Sequence, residues 1–288
     1  MLKINANAKI NLFLEITGRR SDGYHLVDTI MQEISLSDVL EVGLLDKRKG
    51  IKIKSNIDSI PTDERNIAHK AAKLFFERLG EECGVEIVLT KNIPHEAGMG
   101  GGSSDGAAVL EALNELCGKP LSIQDLHNIA VCLGADVPFF LYGGTAHMQG
   151  IGTDYVSSLD TLKFDLVIAK PTAGISTPAA YKYLDDKYSG FISHNAVDSQ
   201  NIINAISTGD YHTLSENLFN RFELAADELC PQSRELRMFM KKHSSGVLLS
   251  GSGASIFAVA ESHSYALKLK ELISNEFPDF YVSVAKTV

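Results

Sequence analysis

The sequence predicts an α+β protein of two domains. Segments with the two-residue alternation of β-strands are interleaved with segments of helical periodicity, without the steady repeat of a parallel βαβ fold. The chain has 288 residues, which is long for one hydrophobic core and comfortable for two. We therefore expect two successive domains, over residues 1–155 and 156–288.

Strands and one helix account for the first third of the chain. Ile10–Ile16 is β-rich and is followed by Gly18, whereas Asn66–Leu79 carries apolar residues at helical spacing and is closed by Gly80. The other strands predicted here, each bounded by polar residues, glycine or proline, are Met31–Val42, Ile51–Ile53 and Val85–Ile93.

Two further helices precede the expected domain boundary. Ser104–Leu116 has a regular apolar face, and a second helix runs from Ser122, where Ser122 and Asp125 form an N-terminal cap, to about Leu133. The stretch Gly143–Gly152 is punctuated by glycine, and residues 157–161 are polar. These loop-like compositions are the reason for placing the boundary near residue 155.

The second half opens with a buried strand, Phe164–Lys170, which Pro171 ends. Two or three helices are predicted between Thr177 and Lys242, followed by strand, tight turn and strand over GVLLSGSGASIFAVA. A helix over Tyr265–Glu276 and a last strand, YVSVAKTV, complete the predicted domain.

Charge and cysteine content restrict the classes of function. Lys and Arg total 27 against 36 for Asp and Glu, and a net charge of -9 repels nucleic acid and anionic membrane surfaces. A bound phosphate must therefore be held by a local site. The four cysteines form no CxxC pair, no signal peptide is evident, and no apolar run reaches membrane-spanning length. We expect a cytoplasmic protein with reduced thiols.

The segment Pro94–Ser104, PHEAGMGGGSS, predicts an anion-binding loop that opens a helix. Its four glycines allow positive φ and close approach of a ligand, and the free N–H groups of a helix start attract phosphate. It is not a Walker A loop, since no lysine follows the last glycine, and it lacks a clean GxGxxG pattern. The alternative is a flexible glycine turn.

Three other clusters are ambiguous when taken singly. Lys9, in AKINLFLEITGRRSDGYH, lies at the start of a strand, and taken alone it is more typical of a solvated surface lysine than of a catalytic one. Asp136, in GADVPFFLYGG, stands between a helix end and a proline, as turn aspartates do. The segment Gly251–Ser255, GSGAS, also fits a hairpin turn.

Together and in this order, the four clusters resemble the motifs of the GHMP kinase superfamily over nearly the whole chain, from Lys9 to about Val259. The resemblance implies a two-domain GHMP kinase fold, with a ribosomal-protein-S5-like N-terminal domain and a ferredoxin-like-related C-terminal domain. The sequence is most similar to members that phosphorylate a cytidyl diphosphate-linked polyol in non-mevalonate isoprenoid synthesis. The segments RSDGYH and GADVPFF carry that narrower resemblance.

The resemblance also implies the catalytic pair and an ATP site. Asp136 corresponds to the general base that takes the proton of the acceptor hydroxyl, and Lys9 to its cationic partner. This is sensible because phosphoryl transfer needs positioning and charge neutralisation more than covalent help. Mg²⁺ would travel with the ATP phosphates, aided by Ser103 or Ser104. The implied ATP-binding residues are Pro94, His95, Glu96, Ala97, Gly98, Met99, Gly100, Gly101, Gly102, Ser103, Ser104, Asn66 and Lys91.

The acceptor site follows from the same resemblance. Tyr24 and His25 correspond to residues that recognise cytosine, and Tyr181, with Thr177 nearby, to an aromatic residue on the other side of the base. Asn11 lies two residues from Lys9, and strand alternation therefore points both side chains the same way. We expect Asn11 to contact the substrate.

One departure from the family pattern concerns the loop, where many members have more glycine than the His95–Ala97 segment provides. A carboxylate at Glu96 turned toward ATP phosphates would be repelled, so we predict that Glu96 faces solvent. The remaining alternatives are another GHMP kinase, of the mevalonate or homoserine type, and a non-catalytic nucleotide sensor or RNA-binding module. We expect a monomer or weak homodimer with no nucleic-acid or membrane partner.

Overall fold

The computed structural model describes residues 1–194 and 197–288, and their side chains outside 189–194. Its strands are β1 (Leu2–Arg19), β2 (His25–Leu45), β3 (Ile51–Ser55), β4 (Gly84–Thr90), β5 (Thr145–Gln149), β6 (Asp154–Leu159), β7 (Asp165–Lys170), β8 (Phe219–Asn220), β9 (Val247–Leu249), β10 (Ile256–Ala260) and β11 (Tyr281–Lys286). Its helices are α1 (Ile67–Leu79), α2 (Gly101–Leu116), α3 (Ile123–Leu133), α4 (Val137–Tyr142), α5 (Thr177–His194), α6 (Gln200–Thr208), α7 (Tyr211–Asn217), α8 (Glu223–Leu229), α9 (Pro231–Met240) and α10 (His263–Glu276). This mixture of helices and mainly antiparallel strands confirms the α+β class.

The chain forms two compact units, each assembled from several stretches of sequence. The first unit comprises Met1–Ala8, Leu36–Ile93 and Gly100–Gly143. The second unit comprises Lys9–Ser35, Pro94–Met99 and Gly144–Val288. The expected boundary between residues 155 and 156 falls within β6, which belongs to the second unit.

In the first unit, β4 pairs antiparallel with the C-terminal half of β2 and parallel with β3. The register places Val39 opposite Thr90. Helix α1 begins at Ile67, one residue after the predicted start, because Asn66 is its N-cap and its side chain accepts a hydrogen bond from the backbone N–H of Ala68. The helix ends as predicted at Gly80, which is in the left-handed conformation. Helix α3 has the predicted capping box between Ser122 and Asp125.

Helix α2 starts at Gly101, three residues before the predicted start at Ser104. Glycine has low helix propensity, so the sequence pattern places the start too late. Packing favours glycine here, since a Cβ at Gly106 would lie 2.6 Å from Cγ2 of Ile67 on α1. The short helix α4 was not predicted, because Asp136 and Pro138 together are typical of a turn.

In the second unit, an antiparallel sheet has the strand order β11-β7-β10-β9. Helices α9 and α10 pack against this sheet, and the apolar core between these layers includes Val167, Leu236, Ile256 and Leu269. Strands β5 and β6 form a hairpin where the glycine-rich and polar sequence predicts loop. The predicted helical region from 177 to 242 includes residues 195 and 196, which lie outside the described residues. Across the part of the chain that the structure describes, no helix is long and apolar enough to span a bilayer.

Candidate active site

The first turn of α2 presents backbone donors and contains no acidic residue of its own. Gly100 precedes the helix with φ of 68°, and no side chain caps the first N–H groups. A Cβ at Gly101 would meet Cγ2 of Ile93 at 3.1 Å, so the close approach of strand exit and helix start favours glycine. This end of the helix has the geometry and the positive dipole of an anion site.

The loop segment Pro94–Met99 belongs to the second unit, where Gly98 packs against the GSGAS turn. A Cβ at Gly98 would lie 2.0 Å from the carbonyl oxygen of Ser250, and one at Gly251 would lie 2.6 Å from the Gly98 carbonyl oxygen. The Ser250 hydroxyl donates to that same Gly98 oxygen at 3.0 Å. The GSGAS segment therefore joins β9 to β10, as the hairpin alternative predicted, and also braces the glycine loop.

Lys9 and Asn11 contact each other on β1, as strand alternation predicts. The Lys9 ammonium donates to Oδ1 of Asn11 at 2.7 Å, and the backbone N–H of Gly251 donates to the same oxygen at 3.0 Å. The Asn11 amide donates to the Thr29 hydroxyl at 2.8 Å. Lys9 is 2% exposed and Asn11 is fully buried, which excludes the reading of Lys9 as a solvated surface lysine.

Asp136 occupies the N-cap position of α4 in the first unit, and it is half-buried. Its side chain makes no capping hydrogen bond to the helix. The next residues, Val137 and Pro138, are buried and fix the direction in which the chain enters the helix.

Two of the proposed cytosine residues, His25 and Tyr181, are in contact in the second unit. The His25 imidazole stacks on the Tyr181 ring with 4.3 Å between centroids and 12° between planes, and its Nε2 lies 2.7 Å from Oδ1 of Asp185. Arg19 pairs with the other Asp185 oxygen at 3.2 Å. Tyr24 is 61% exposed, so its ring is available to a ligand. Sequence reasoning missed Asp185, although it lies one helical turn after Tyr181 on α5.

Three other predicted site residues, Thr177, Asn66 and Glu96, differ in exposure and hydrogen bonding. Thr177 is exposed at the start of α5, and its hydroxyl lies 2.7 Å from that of Ser252. Asn66 is engaged as the cap of α1 and also donates to the Pro61 carbonyl at 2.7 Å. Glu96 is exposed, as predicted, and has φ of 50°. That left-handed conformation is the physical reason why glycine suits this position.

Lys91 lies in a buried cluster with two carboxylates that sequence reasoning missed. Its ammonium donates to Oδ2 of Asp105 at 2.7 Å and to Oδ2 of Asp38. Burial raises the pKa of Asp105 to about 7, against the opposing effect of the Lys91 charge. Oδ1 of Asp105 is buried without a hydrogen-bond partner. Asp105 directly follows the SS pair of the loop, whereas Asp38 carries no signal in its local sequence.

Comparison with known proteins agrees with these observations. Models of the GHMP kinases N terminal domain and C terminal domain match residues 66–144 and 202–279. The 4-diphosphocytidyl-2-C-methyl-D-erythritol kinase of Clostridium tetani is 40% identical over 98% of this chain and 99% of its own length. A crystal structure of 4-(cytidine 5'-diphospho)-2C-methyl-D-erythritol kinase matches with 32% identity and a TM-score of 0.78 over 99% of both chains.

Homoserine kinase from Cytophaga hutchinsonii is similar in fold alone, with 23% identity and a TM-score of 0.79 over 100% of this chain and 94% of that one. The first domain model covers the glycine loop and GADVPFF, the second covers GSGAS, and the relatives span the chain almost from end to end. On this basis the chain belongs to the GHMP kinase family.

Proposed function

We propose that this kinase transfers the γ-phosphoryl group of ATP to the 2-hydroxyl of 4-diphosphocytidyl-2-C-methyl-D-erythritol, giving the 2-phosphate and ADP in non-mevalonate isoprenoid synthesis. The observation that carries the choice is the near full-length identity of 34 to 43% to relatives that bear this kinase name. The stacked His25 and Tyr181 rings support it, since a planar base needs such a platform.

Asp136 is the proposed base, and Lys9 its cationic partner. Asp136 accepts the proton of the 2-hydroxyl as the oxygen attacks the γ-phosphorus, and the bond from that phosphorus to the β,γ-bridging oxygen breaks. The Lys9 ammonium offsets the negative charge that develops on the attacking oxygen. Asn11 holds that ammonium in one direction through the 2.7 Å hydrogen bond and thereby limits its freedom.

The phosphate loop binds the nucleotide through backbone donors. The N–H groups at the start of α2 receive the phosphates, and the positive φ of Gly98 and Gly100 shapes the turn that leads into this helix start. Among the described residues, no group of three or more His, Cys, Asp or Glu side chains could hold a metal ion. A Mg²⁺ ion would be held mainly by ATP itself, with the hydroxyl of Ser103 or Ser104 as a protein ligand, and it would neutralise phosphate charge.

The cytosine is proposed to lie against Tyr24 and the His25–Tyr181 pair. Asp185 holds Nε2 of His25 in a hydrogen bond. Nδ1 is then the ring nitrogen that can form a hydrogen bond with the ligand. Mevalonate and homoserine have no base for this platform to recognise. We further propose that the enzyme works in the cytoplasm as a monomer or weak homodimer.

A panel of acceptors tests the proposal. Purified protein is offered ATP and Mg²⁺ with the cytidyl substrate, mevalonate or homoserine in turn, and ADP release is followed. We expect turnover with the cytidyl substrate and a kcat/KM about 10⁴-fold lower with the other two, since a site built to hydrogen-bond a substrate group rejects analogues without that group by about this factor. Preference for mevalonate or homoserine would overturn the choice of acceptor while leaving the kinase family intact.

A further inference from the structure

Asp38, Lys91 and Asp105 form a cluster of three charged side chains buried in the first unit. The side chain of Asp38 is fully buried, and those of Lys91 and Asp105 are 8% and 4% exposed. The Lys91 ammonium donates to one oxygen of each carboxylate. Charges this deeply buried remain there only when they are paired and hydrogen-bonded.

The cluster holds the chain where it enters the phosphate loop. The second Asp38 oxygen accepts hydrogen bonds from the backbone N–H groups of Asn92 at 2.5 Å and Ile93 at 2.8 Å, directly before Pro94. Asn56 bonds the backbone of Lys91 in both directions, at 2.8 and 3.3 Å. The strand exit is therefore fixed by side chains from two other segments of the first unit.

The same cluster holds the chain where it leaves the loop. Asp105 follows Ser104 in the second turn of α2, and its link to Lys91 ties the helix to the strand exit. A Cβ at Gly101 would lie 3.5 Å from Oδ2 of Asp38, so this carboxylate also lies beside the helix start. Both ends of the loop thus meet at one ion cluster.

The geometry argues against Lys91 as a direct phosphate ligand. Two of the three ammonium donors are committed to carboxylates, and the side chain is almost wholly buried. Moving the ammonium to a phosphate would leave Asp38 and Asp105 close together without a counter-charge, which is strongly unfavourable. A fixed ammonium can still serve the loop by holding its two ends.

We infer that Asp38, Lys91 and Asp105 form an ion clasp that closes the base of the phosphate loop and presets it for ATP. The three are positioning residues, which act through the loop backbone rather than by touching nucleotide. The inference rests on the proposed function only for the identity of the ligand as ATP. A loop held at both ends loses less freedom when the ligand binds, so the clasp raises affinity.

The first test uses Lys91→Met, Asp105→Leu and the double variant in the full-length chain. Each single change is expected to weaken binding of ATP and of ADP by a similar factor, about tenfold or more, with the acceptor KM unchanged. The double variant should cost little more than one single change, because both residues serve one clasp. Lys54→Met, which removes an exposed lysine that pairs with Glu86 at 2.8 Å, is the matched control and should change nothing.

Direct phosphate binding by Lys91 gives a different result, and that result would overturn the inference. Lys91→Met would then weaken the binding of ATP much more than that of ADP, and Asp105→Leu would have no comparable effect. The loss of affinity in the double variant would be the sum of the two single losses. Thermal unfolding of each variant is measured alongside, so that loss of folded protein is not counted as loss of affinity.

Hydrogen exchange of the free protein provides a second test that needs neither nucleotide nor acceptor. Asp105→Asn keeps the shape of the side chain, so the fold is expected to survive. The amides of residues 95–103 should exchange about tenfold faster or more in this variant, while those of α1 and α3 stay unchanged. Unchanged loop exchange would exclude the clasp. Failure of the wild-type protein to bind ATP would instead count against the proposed function, leaving the exchange result valid.

Discussion

Lys9 and Asn11 point to the same side of β1, and the Lys9 ammonium donates to Oδ1 of Asn11 at 2.7 Å. The Asn11 amide donates to the Thr29 hydroxyl, and that hydroxyl donates to the Phe13 carbonyl at 2.6 Å. Because every residue in this series of hydrogen bonds is buried, the direction of the ammonium is set by β1 and β2 and not by solvent.

Removing the Asn11 amide should lower the rate more than the affinity. In Asn11→Leu the ammonium loses the Asn11 oxygen as an acceptor, and we expect kcat to fall about 10 to 100-fold with the KM for ATP within threefold of wild type. Steady-state kinetics checks this. Thr29→Val disturbs only the far end of the chain and should have a smaller effect. A rise in KM for ATP with an unchanged kcat would contradict the positioning role.

Replacing the proposed base should stop turnover without abolishing nucleotide binding. For Asp136→Ala we expect kcat to fall by about 10³, within the range measured for general bases, and ATP affinity to change by less than threefold. Calorimetric titration and ADP release provide the two readouts. Asp58→Ala, an exposed aspartate of the same unit, is the control. A near-normal rate in Asp136→Ala would show that another group takes the proton.

Loss of Asp185 should weaken binding of the acceptor substrate and leave binding of ATP unchanged. Asp185→Ala frees the His25 ring, and we expect the KM for the cytidyl substrate to rise about tenfold while the KM for ATP stays constant. Asp186→Ala removes the exposed carboxylate next to it and should leave both values unchanged. Equal changes in the two KM values would indicate a general structural defect instead.

The left-handed backbone at Glu96 predicts an unusual order of stability. Glu96→Val should destabilise the protein by about 1 to 2 kcal/mol, since β-branched residues resist positive φ, whereas Glu96→Gly should be tolerated. Denaturant unfolding measures both. His95→Val, at the neighbouring exposed position, should cost less than Glu96→Val. If the two valine variants were equally stable, strain at Glu96 would be excluded.

Asp28 predicts an acid-sensitive contribution to stability. Burial works to raise its pKa, but hydrogen bonds from His147, Ser199 and Gln149 outweigh that effect and hold the pKa below its usual value. A depressed carboxyl pKa stabilises the fold above the unfolded value of about 3.9, and this contribution is lost as the pH falls through the lower folded value.

Unfolding of Asp28→Asn is therefore measured from pH 3 to pH 7. The free energy of unfolding of the wild type should exceed that of the variant by about 1 to 3 kcal/mol at pH 7, and this difference should shrink below about pH 4. Asp58→Asn serves as the exposed control, with a small difference at every pH. A difference in the free energy of unfolding that stays constant down to pH 3 would contradict the lowered pKa of Asp28.

The sequence by itself determined features that depend on residues close together in the chain. Asn66 and Gly80 bound α1, the Ser122–Asp125 box starts α3, and the density of glycine after Pro94 marks the anion loop. Caps, turns and helical periodicity are local, because each is decided within a few residues. The order of four such motifs was also enough to indicate the family.

Only the tertiary structure decided which distant residues meet. The pairing of β2 with β4 sets Val39 opposite Thr90, and this register brings Asp38 beside Lys91 across 53 positions of sequence. In the same way, α5 carries Asp185 to His25, 160 positions away. A strand can pair in several registers with similar local preference, and only packing of the whole sheet and its helices selects one of them. For that reason the residues that hold the site in place became visible only in the fold.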